Sequence, residues 1–174
     1  MSQLRISGII RESVVDGPGI RFVVFTQGCP HHCPGCHNPA THPFEGGKIV
    51  ETERILTEID KNPLLKGVTL SGGEPFCQPE PLAELAKGIH ARGMDVMTYS
   101  GYTFEQLLEK GETESGISAL LEETDILVDG RFIEAEKSLL LKFRGSKNQR
   151  ILDIKESLKR GEAVSVSWAD KEEY

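Results

Sequence analysis

The 174-residue sequence lacks the features that mark membrane, secreted and multidomain proteins. No apolar run approaches the roughly 20 residues that a membrane helix needs, and residues 1–19 lack the basic start and long apolar stretch of a secretory signal. We therefore predict a cytoplasmic protein whose cysteines stay reduced and available to metal. No repeat, low-complexity tract or long Pro/Ser linker divides the chain, which favours a single domain over residues 1–174.

Two nucleotide-binding motifs and an overall positive charge are also missing. The chain has neither GxxxxGK[ST] nor a GxGxxG after a strand, which weakens any phosphate-binding hypothesis. Its net charge of −7 argues against direct binding of nucleic acid. The charge is uneven, because residues 131–160 hold nine Lys/Arg against four Asp/Glu while residues 1–130 hold ten against nineteen. This basic segment is either a solvated face or a docking surface.

The order of the predicted elements indicates an α/β fold. Strands are predicted at 4–10, 21–27, 67–70, 94–98 and 125–129, and helices at 51–61, 79–92, 103–110 and 153–160. This alternation is typical of parallel β/α crossovers and predicts about five or six mostly parallel strands, with a weak edge strand at 163–168. Because a full eight-unit barrel usually needs roughly 250 residues, we expect a partial, open β/α barrel.

Four polar segments fall at the carboxyl ends of predicted strands, where parallel α/β folds gather their functional residues. They are the cysteine loop, SGGEP, TYSGYT and DGR. The two glycines of SGGEP would let the backbone approach a ligand, and Glu74 could bind an ammonium group. Thr98 and Ser100 could hydrogen-bond a ribose, and Asp129 could orient a ligand or cation. Capping or turn roles are equally open for these last three residues.

The cysteine loop, at about residues 28–40, carries the strongest signal. Cys29, Cys33 and Cys36 have the spacing C-x3-C-x2-C, which lets three thiolates hold a four-iron cluster while one iron stays open to another ligand. Cys77 is expected to be a free thiol, with ligation of the cluster as the alternative. The loop could instead bind zinc with a histidine as fourth ligand, although structural zinc more often uses paired C-x2-C units. The candidate histidines are His31, His32 and His37.

Together, CPHHCPGC, SGGEP and the β/α order resemble the radical S-adenosylmethionine (SAM) superfamily. The resemblance implies a barrel of the radical SAM type, in which Cys29, Cys33 and Cys36 bind a [4Fe–4S] cluster whose open iron chelates SAM. It also implies that residues of the family motifs contact SAM. To these, the positions of Thr98, Ser100 and Asp129 at strand ends add three further candidates. The residues implied by the family motifs are Gly35, Cys36, His37, Ser71, Gly72, Gly73 and Glu74. Many radical SAM loops have an aromatic residue where this chain has Gly35. The contact that such a ring could make with the adenine of SAM is therefore absent here.

A narrower resemblance lies in DGPGIRFVVFTQGC and CHNP, which are similar to the glycyl-radical activating enzymes. The segments YSGYTFEQL, DILVDGRF and RGSKNQRILD are similar to the branch that acts on the anaerobic ribonucleotide reductase. This implies that the reduced cluster cleaves SAM to a 5′-deoxyadenosyl radical, which forms a glycyl radical on that reductase. A flavodoxin-type protein would donate the electron, and no acid or base residue is implied.

Three other functions stay open at this point. The first is activation of a different glycyl-radical enzyme, such as pyruvate formate-lyase. The second is radical SAM chemistry on a small molecule. The third belongs to another class, a zinc-stabilised binding module without catalysis.

Overall fold

A computed structural model describes residues 2–36 and 39–168. Within them the chain forms one seven-stranded sheet and five α-helices. The strands are β1 (Gln3–Ser13), β2 (Arg21–Thr26), β3 (Lys48–Glu51), β4 (Gly67–Gly72), β5 (Asp95–Tyr99), β6 (Ile126–Asp129) and β7 (Arg150–Asp153). The helices are α1 (Thr52–Asp60), α2 (Pro79–His90), α3 (Phe104–Gly111), α4 (Ser115–Glu123) and α5 (Ile154–Arg160). In this part of the chain no helix has both the length and the apolar character needed to cross a bilayer.

The sheet has a parallel centre and antiparallel edges. Its strand order is β3-β1-β2-β4-β5-β6-β7, in which β2, β4, β5 and β6 run parallel and the other three pair antiparallel with their neighbours. The two end strands, β3 and β7, do not pair with each other, so the sheet stays open. The predicted α/β class and open β/α arrangement are confirmed.

The edge of the sheet differs from the prediction in two places. Strand β3 was not predicted, because KIVE is short, largely exposed and charged at both ends. Segment 163–168 is not a strand, since it contributes only an isolated bridge between Ser165 and Leu152. The edge position is taken instead by β7, whose residues Ile151 and Leu152 are buried against β6. An edge strand needs pairing on one side only, so local sequence specifies it weakly.

The helices cover one face of the sheet. Their apolar side chains pack on β2, β4 and β5 in a single large core, which includes Phe22, Leu70 and Leu85. Helix α5 ends as the sequence predicted, because Gly161 adopts a left-handed φ of 71° that stops the helix. Helix α4 was missed, although Ile117, Leu120 and Leu121 recur at helical spacing.

The other face of the sheet holds a buried arginine that fixes the turn before β2. The guanidinium of Arg21 donates to Thr69 Oγ1 at 2.7 Å, to the Pro18 carbonyl at 3.0 Å and to Asp95 Oδ1 at 2.5 Å. Thr69 Oγ1 in turn donates to the Asp16 carbonyl at 2.7 Å. A buried charge has to be paired and hydrogen-bonded in this way. These bonds hold the DGPG turn at the edge of the candidate site.

Candidate functional site

A cavity of about 350 Å³ lies at the carboxyl ends of the parallel strands. Its walls include residues that follow β2, β4, β5 and β6 in the chain, so the four polar segments expected there do meet. Seven of the predicted cluster and SAM contacts line it: Cys29, Cys33, Cys36, Ser71, Gly72, Gly73 and Ser100. The topology therefore gathers most of the candidate residues in one place, as parallel strand ends should.

Backbone hydrogen bonds close the cysteine loop at its base. The Gly28 N–H donates to the Thr41 carbonyl at 2.7 Å, and the Cys29 N–H donates to the His42 carbonyl at 3.0 Å. The buried Gln27 side chain also donates to the Pro43 carbonyl at 2.6 Å. The two arms of the loop are thus fixed by bonds that do not depend on a metal. His42, which the sequence did not single out, lines the cavity from the returning arm.

The three thiols of the loop lie on the walls of the same cavity. Cys29 is buried, whereas Cys33 and Cys36 are half-buried, and a backbone bond of 3.1 Å from Cys36 N to the Cys33 carbonyl forms the turn between them. Burial raises the pKa of the Cys29 thiol, with smaller contributions from the nearby Glu74 and Cys33. Three soft thiols on one open cavity fit a four-iron cluster with a free iron. Across the described ranges, no three His, Cys, Asp or Glu side chains are grouped as ligands of one metal ion.

The SGGEP turn is bonded directly to the cysteine loop. The Gly73 N–H donates to the Thr26 carbonyl, and the Glu74 N–H donates to the Gly28 carbonyl, both at 2.8 Å. A Cβ atom added at Gly73 would lie 2.4 Å from the Gly28 carbonyl oxygen. The sequence predicted that this glycine makes room for a ligand. In the structure its missing side chain makes room for the backbone of the cysteine loop.

Glu74 is fully buried and does not line the cavity. Its carboxylate accepts hydrogen bonds from Ser100 Oγ at 2.9 Å, from Gly101 N at 2.7 Å and from Phe76 N at 3.0 Å. It also accepts one from His31 Nε2 at 2.7 Å. The carboxylate that the sequence assigned to an ammonium group therefore joins the cysteine loop to the ends of β4 and β5.

His31 is a residue whose position the sequence did not reveal. It was considered only as a zinc ligand, yet its ring lies between the cavity and Glu74. The ring also packs edge-on against Tyr102, with 4.6 Å between centroids. The position inside CPHHC was the available signal, but nothing local to that motif specifies a bond to residue 74.

Two of the predicted ligand contacts are not brought to the cavity. Thr98 is fully buried, and its Oγ1 lies 3.0 Å from Thr124 Oγ1 in the core. Asp129 is also buried, where it accepts from the Phe104 N–H at 2.8 Å and pairs with Arg150. Asp129 thus has a capping role of the kind that the sequence had left open, whereas Thr98 packs in the core. Ser100, in contrast, lines the cavity.

The SAM contacts predicted around the third cysteine are divided. Gly35 lies against the Glu134 carboxylate, since an added Cβ would be 3.0 Å from Glu134 Cδ. Cys36 lines the cavity, whereas Gly35 does not. His37 lies outside the described residues.

Cys77 does not line the cavity. Although its side chain reaches the surface, burial on its inner side raises its pKa to about 12, helped by the nearby Glu74 and Cys29. A thiol with this pKa stays protonated at neutral pH and is a poor nucleophile. Its placement agrees with the expected free thiol.

The basic segment supplies another part of the cavity wall. Leu141, Phe143, Arg144 and Gln149 line the cavity there. The buried Tyr99 hydroxyl donates to the Phe143 carbonyl at 2.5 Å, and burial raises the pKa of Tyr99 so that it keeps this proton. The available sequence signal for a functional role of this segment was the resemblance of RGSKNQRILD to the branch that acts on the anaerobic ribonucleotide reductase.

Comparison with known proteins identifies the family. A family model described as a 4Fe-4S single cluster domain matches residues 15–152. The anaerobic ribonucleoside-triphosphate reductase-activating protein of Salmonella typhimurium is 33% identical over 145 residues, which cover 78% of this chain and 90% of that protein. This chain belongs to the same family of activating proteins. The sequence-based assignment to the radical SAM activating enzymes, with a [4Fe–4S] cluster and SAM as cofactors, is confirmed.

One further relative and one solved structure match only part of the chain. The pyruvate formate-lyase-activating enzyme of Clostridium pasteurianum is 41% identical over 115 residues, which cover 60% of this chain and 48% of that protein. The crystal structure of QueE from Escherichia coli has a TM-score of 0.47 at 18% identity and covers 58% of this chain and 54% of that one. The zinc-stabilised module without catalysis was a wrong alternative, because the matched family carries an iron–sulfur cluster.

Proposed function

We propose that this protein activates an anaerobic ribonucleotide reductase by forming a glycyl radical on it. The observation that carries the proposal is the cavity where three thiols meet Ser71, Gly72 and Gly73 at the strand ends. The similarity to the Salmonella typhimurium activating protein over most of both chains supports the choice of substrate. The sheet stays open, which leaves access for a macromolecule rather than only for a small molecule.

In this proposal Cys29, Cys33 and Cys36 hold the cluster, because they are the cysteines on the cavity wall. When bound, the cluster and SAM supply the electron transfer and the hydrogen abstraction. The residues that would bind SAM are Ser71, Gly72, Gly73 and Ser100 on the wall, with the backbone of Gly35, Cys36 and His37 beside the adenine.

Three residues of the earlier SAM set are proposed to act through position instead of contact. Glu74 holds His31 and Ser100 in place, so it fixes the cysteine loop relative to the end of β5. Thr98 and Asp129 stabilise the strand ends from the core. Rigid support of this kind keeps a cofactor within the narrow geometry that its reaction needs.

The cellular setting is proposed from the chemistry. A cluster held by thiolates requires reduced cysteines, which favours the cytoplasm. A flavodoxin-type protein is proposed as the electron donor. The net charge of −7 makes nucleic acid an unfavourable partner.

The test is anaerobic reconstitution followed by electron paramagnetic resonance of mixtures with candidate partners. We expect about four iron and four acid-labile sulfide per chain. With SAM and a reductant, a glycyl radical should form on the reductase. A radical on pyruvate formate-lyase alone would instead support activation of a different glycyl-radical enzyme, an alternative that the 41% identical relative favours. Zinc alone, without sulfide, would contradict both.

A further inference from the structure

Residues 136–147, here named the mouth hairpin, project beside the cavity. The Lys147 N–H donates to the Glu136 carbonyl at 3.0 Å, and the Ser138 N–H donates to the Gly145 carbonyl at 3.3 Å. A bridge between Lys137 and Ser146 completes this two-stranded base. The tip of the hairpin is therefore held out from the sheet by paired backbone.

The conformation of the mouth hairpin is fixed by groups outside it. Gln149 Oε1 accepts from Gly145 N at 2.8 Å and from Ser146 N at 3.2 Å, while the Gln149 carbonyl accepts from Arg144 at 2.9 Å. The Tyr99 hydroxyl holds the Phe143 carbonyl from the end of β5. Side chains at the tip are thus presented by a preorganised loop, which lowers the entropy cost of binding a partner.

The most exposed apolar side chains belong to two segments that each contribute a residue to the cavity wall. Among the described residues, the three most exposed large apolar side chains are Leu139 at 85%, Val15 at 73% and Val14 at 70%. Leu140 is 56% exposed. Val15 and Leu141 both line the cavity, so Val14, Leu139 and Leu140 adjoin its wall along two different segments of the chain. Exposed aliphatic groups concentrated at one opening indicate a binding surface.

The charge of this surface is opposite to that of the chain as a whole. Residues 130–147 hold five Lys/Arg against two Asp/Glu, whereas the whole chain has a net charge of −7. Two of these cations, Lys137 and Lys147, are exposed at the base of the mouth hairpin. Positive charges beside exposed apolar side chains complement an acidic partner that carries apolar side chains at its contact point.

We propose that Val14, Val15, Leu139 and Leu140 form a docking rim for the polypeptide segment that carries the target glycine. The inference rests on the proposed function. A small molecule could occupy the cavity without touching Val14, Leu139 or Leu140, which do not line it, whereas a glycine in a folded protein has to bring its neighbouring residues against the mouth. The expected partner segment has apolar residues next to its glycine and lies on an acidic surface.

The rim is tested with the double variant L139S/L140S and a matched control. Leu64→Ser is the control, because Leu64 is 68% exposed but precedes β4, at the opposite end of the strands from the cavity. The reconstituted enzymes are titrated anaerobically with the anaerobic ribonucleotide reductase of the same organism. We expect the Kd for the reductase to rise about tenfold or more in L139S/L140S, as for central interface residues, and to stay unchanged in L64S.

Iron content and SAM affinity are measured on the same three proteins. Both should be unchanged in L139S/L140S, since neither leucine lines the cavity. An unchanged Kd for the reductase would overturn the rim, as would equal weakening in L64S. A loss of SAM affinity would also overturn it, because the leucines would then belong to the cofactor site. If the wild-type enzyme neither binds the reductase nor forms a radical on it, the proposed function fails first and the rim fails with it.

Discussion

The two walls of the cavity are held together in different ways. On the side of the cysteine loop, backbone bonds such as Glu74 N to the Gly28 carbonyl join successive strand ends, and a buried carboxylate ties them together. On the other side, the mouth hairpin presents side chains, and Leu139 and Leu140 are exposed to solvent. A wall held rigid by backbone hydrogen bonds is suited to binding a small cofactor of fixed shape, whereas exposed side chains are suited to contact with the surface of another protein. Changes on the first wall should therefore affect the cofactors, and changes on the second should affect the partner.

The largest effect is expected from the thiols of the first wall. Cys29→Ala, Cys33→Ala and Cys36→Ala should each abolish SAM cleavage, because three thiolates are needed to hold the cluster. Cys77→Ala is the matched control and should retain it, since Cys77 does not line the cavity. The measurement is SAM cleavage by anaerobically reconstituted protein with its iron content. Cleavage retained in any of the first three variants, or lost in the control despite normal folding, would contradict the ligand assignment.

Gly73→Val separates the two explanations of the SGGEP glycine. If the glycine only makes room for a ligand, the variant should lose SAM affinity and keep its cluster. The structure predicts that iron loading falls as well, because the new side chain would push against the Gly28 carbonyl. Such overpacking costs about 1–3 kcal/mol. Gly8→Val is the control, since a Cβ there meets nothing within 4 Å. Full iron loading with reduced SAM affinity would favour the ligand explanation.

Glu74→Gln should destabilise the first wall without removing volume. An amide cannot accept all the hydrogen bonds that Ser100, Gly101 and Phe76 donate to the carboxylate, and a buried donor left unpaired costs about 1–3 kcal/mol. The free energy of unfolding in urea measures this loss. Glu109→Gln, on the exposed side of α3, should be neutral. Equal stability of the two variants would show that Glu74 does not hold the wall together.

Charge reversal of the mouth hairpin should have a smaller effect, and only on the partner. In K137E/K147E we expect the reductase to bind about three- to tenfold more weakly at low salt, with a shallower salt dependence and unchanged SAM cleavage. The control K87E/K159E changes the net charge equally on α2 and α5. Equal weakening in both double variants would mean that the total charge of the protein, rather than the charge of the mouth hairpin, determines binding.

The smallest effect is expected at a site remote from both walls. His90 contacts Glu123 at 2.8 Å and Asp125 at 2.7 Å. Burial lowers the pKa of His90, but these two carboxylates outweigh it, so the pKa is raised overall. The two ion pairs of His90 therefore stabilise the fold fully below about pH 6.5, the pKa of histidine in the unfolded chain. This stabilisation is lost as the pH rises through the pKa of His90 in the folded protein.

His90→Gln tests this pH dependence against wild-type protein. The difference in unfolding free energy between the two should be largest at acidic pH, about 0.2–1 kcal/mol for a partly exposed pair, and should shrink at alkaline pH. SAM affinity and reductase binding should not change. A difference that grows with pH would reverse the assigned charge state of His90.

Much of the fold followed from local pattern. The parallel strands were predicted because apolar β-branched runs such as GVTL alternate with amphipathic helices, and burial on both faces leaves a clear signal. The edge strands β3 and β7 were not predicted, since both are short and each lies at an edge of the sheet. In addition, β7 directly precedes the helix that was predicted from residue 153. Their existence depends on what the neighbouring strand offers for pairing, which is not local information.

The sequence by itself determined the family, the cysteine spacing and the α/β order, because each is written in short contiguous motifs. Only the tertiary structure decided how the candidates divide. It placed Ser100 on the cavity, sent Thr98 and Asp129 into supporting roles, and joined Glu74 to His31, 43 positions earlier. The physical reason is that a buried polar group takes whichever partners the fold brings within 3 Å or so, and those partners come from distant parts of the chain.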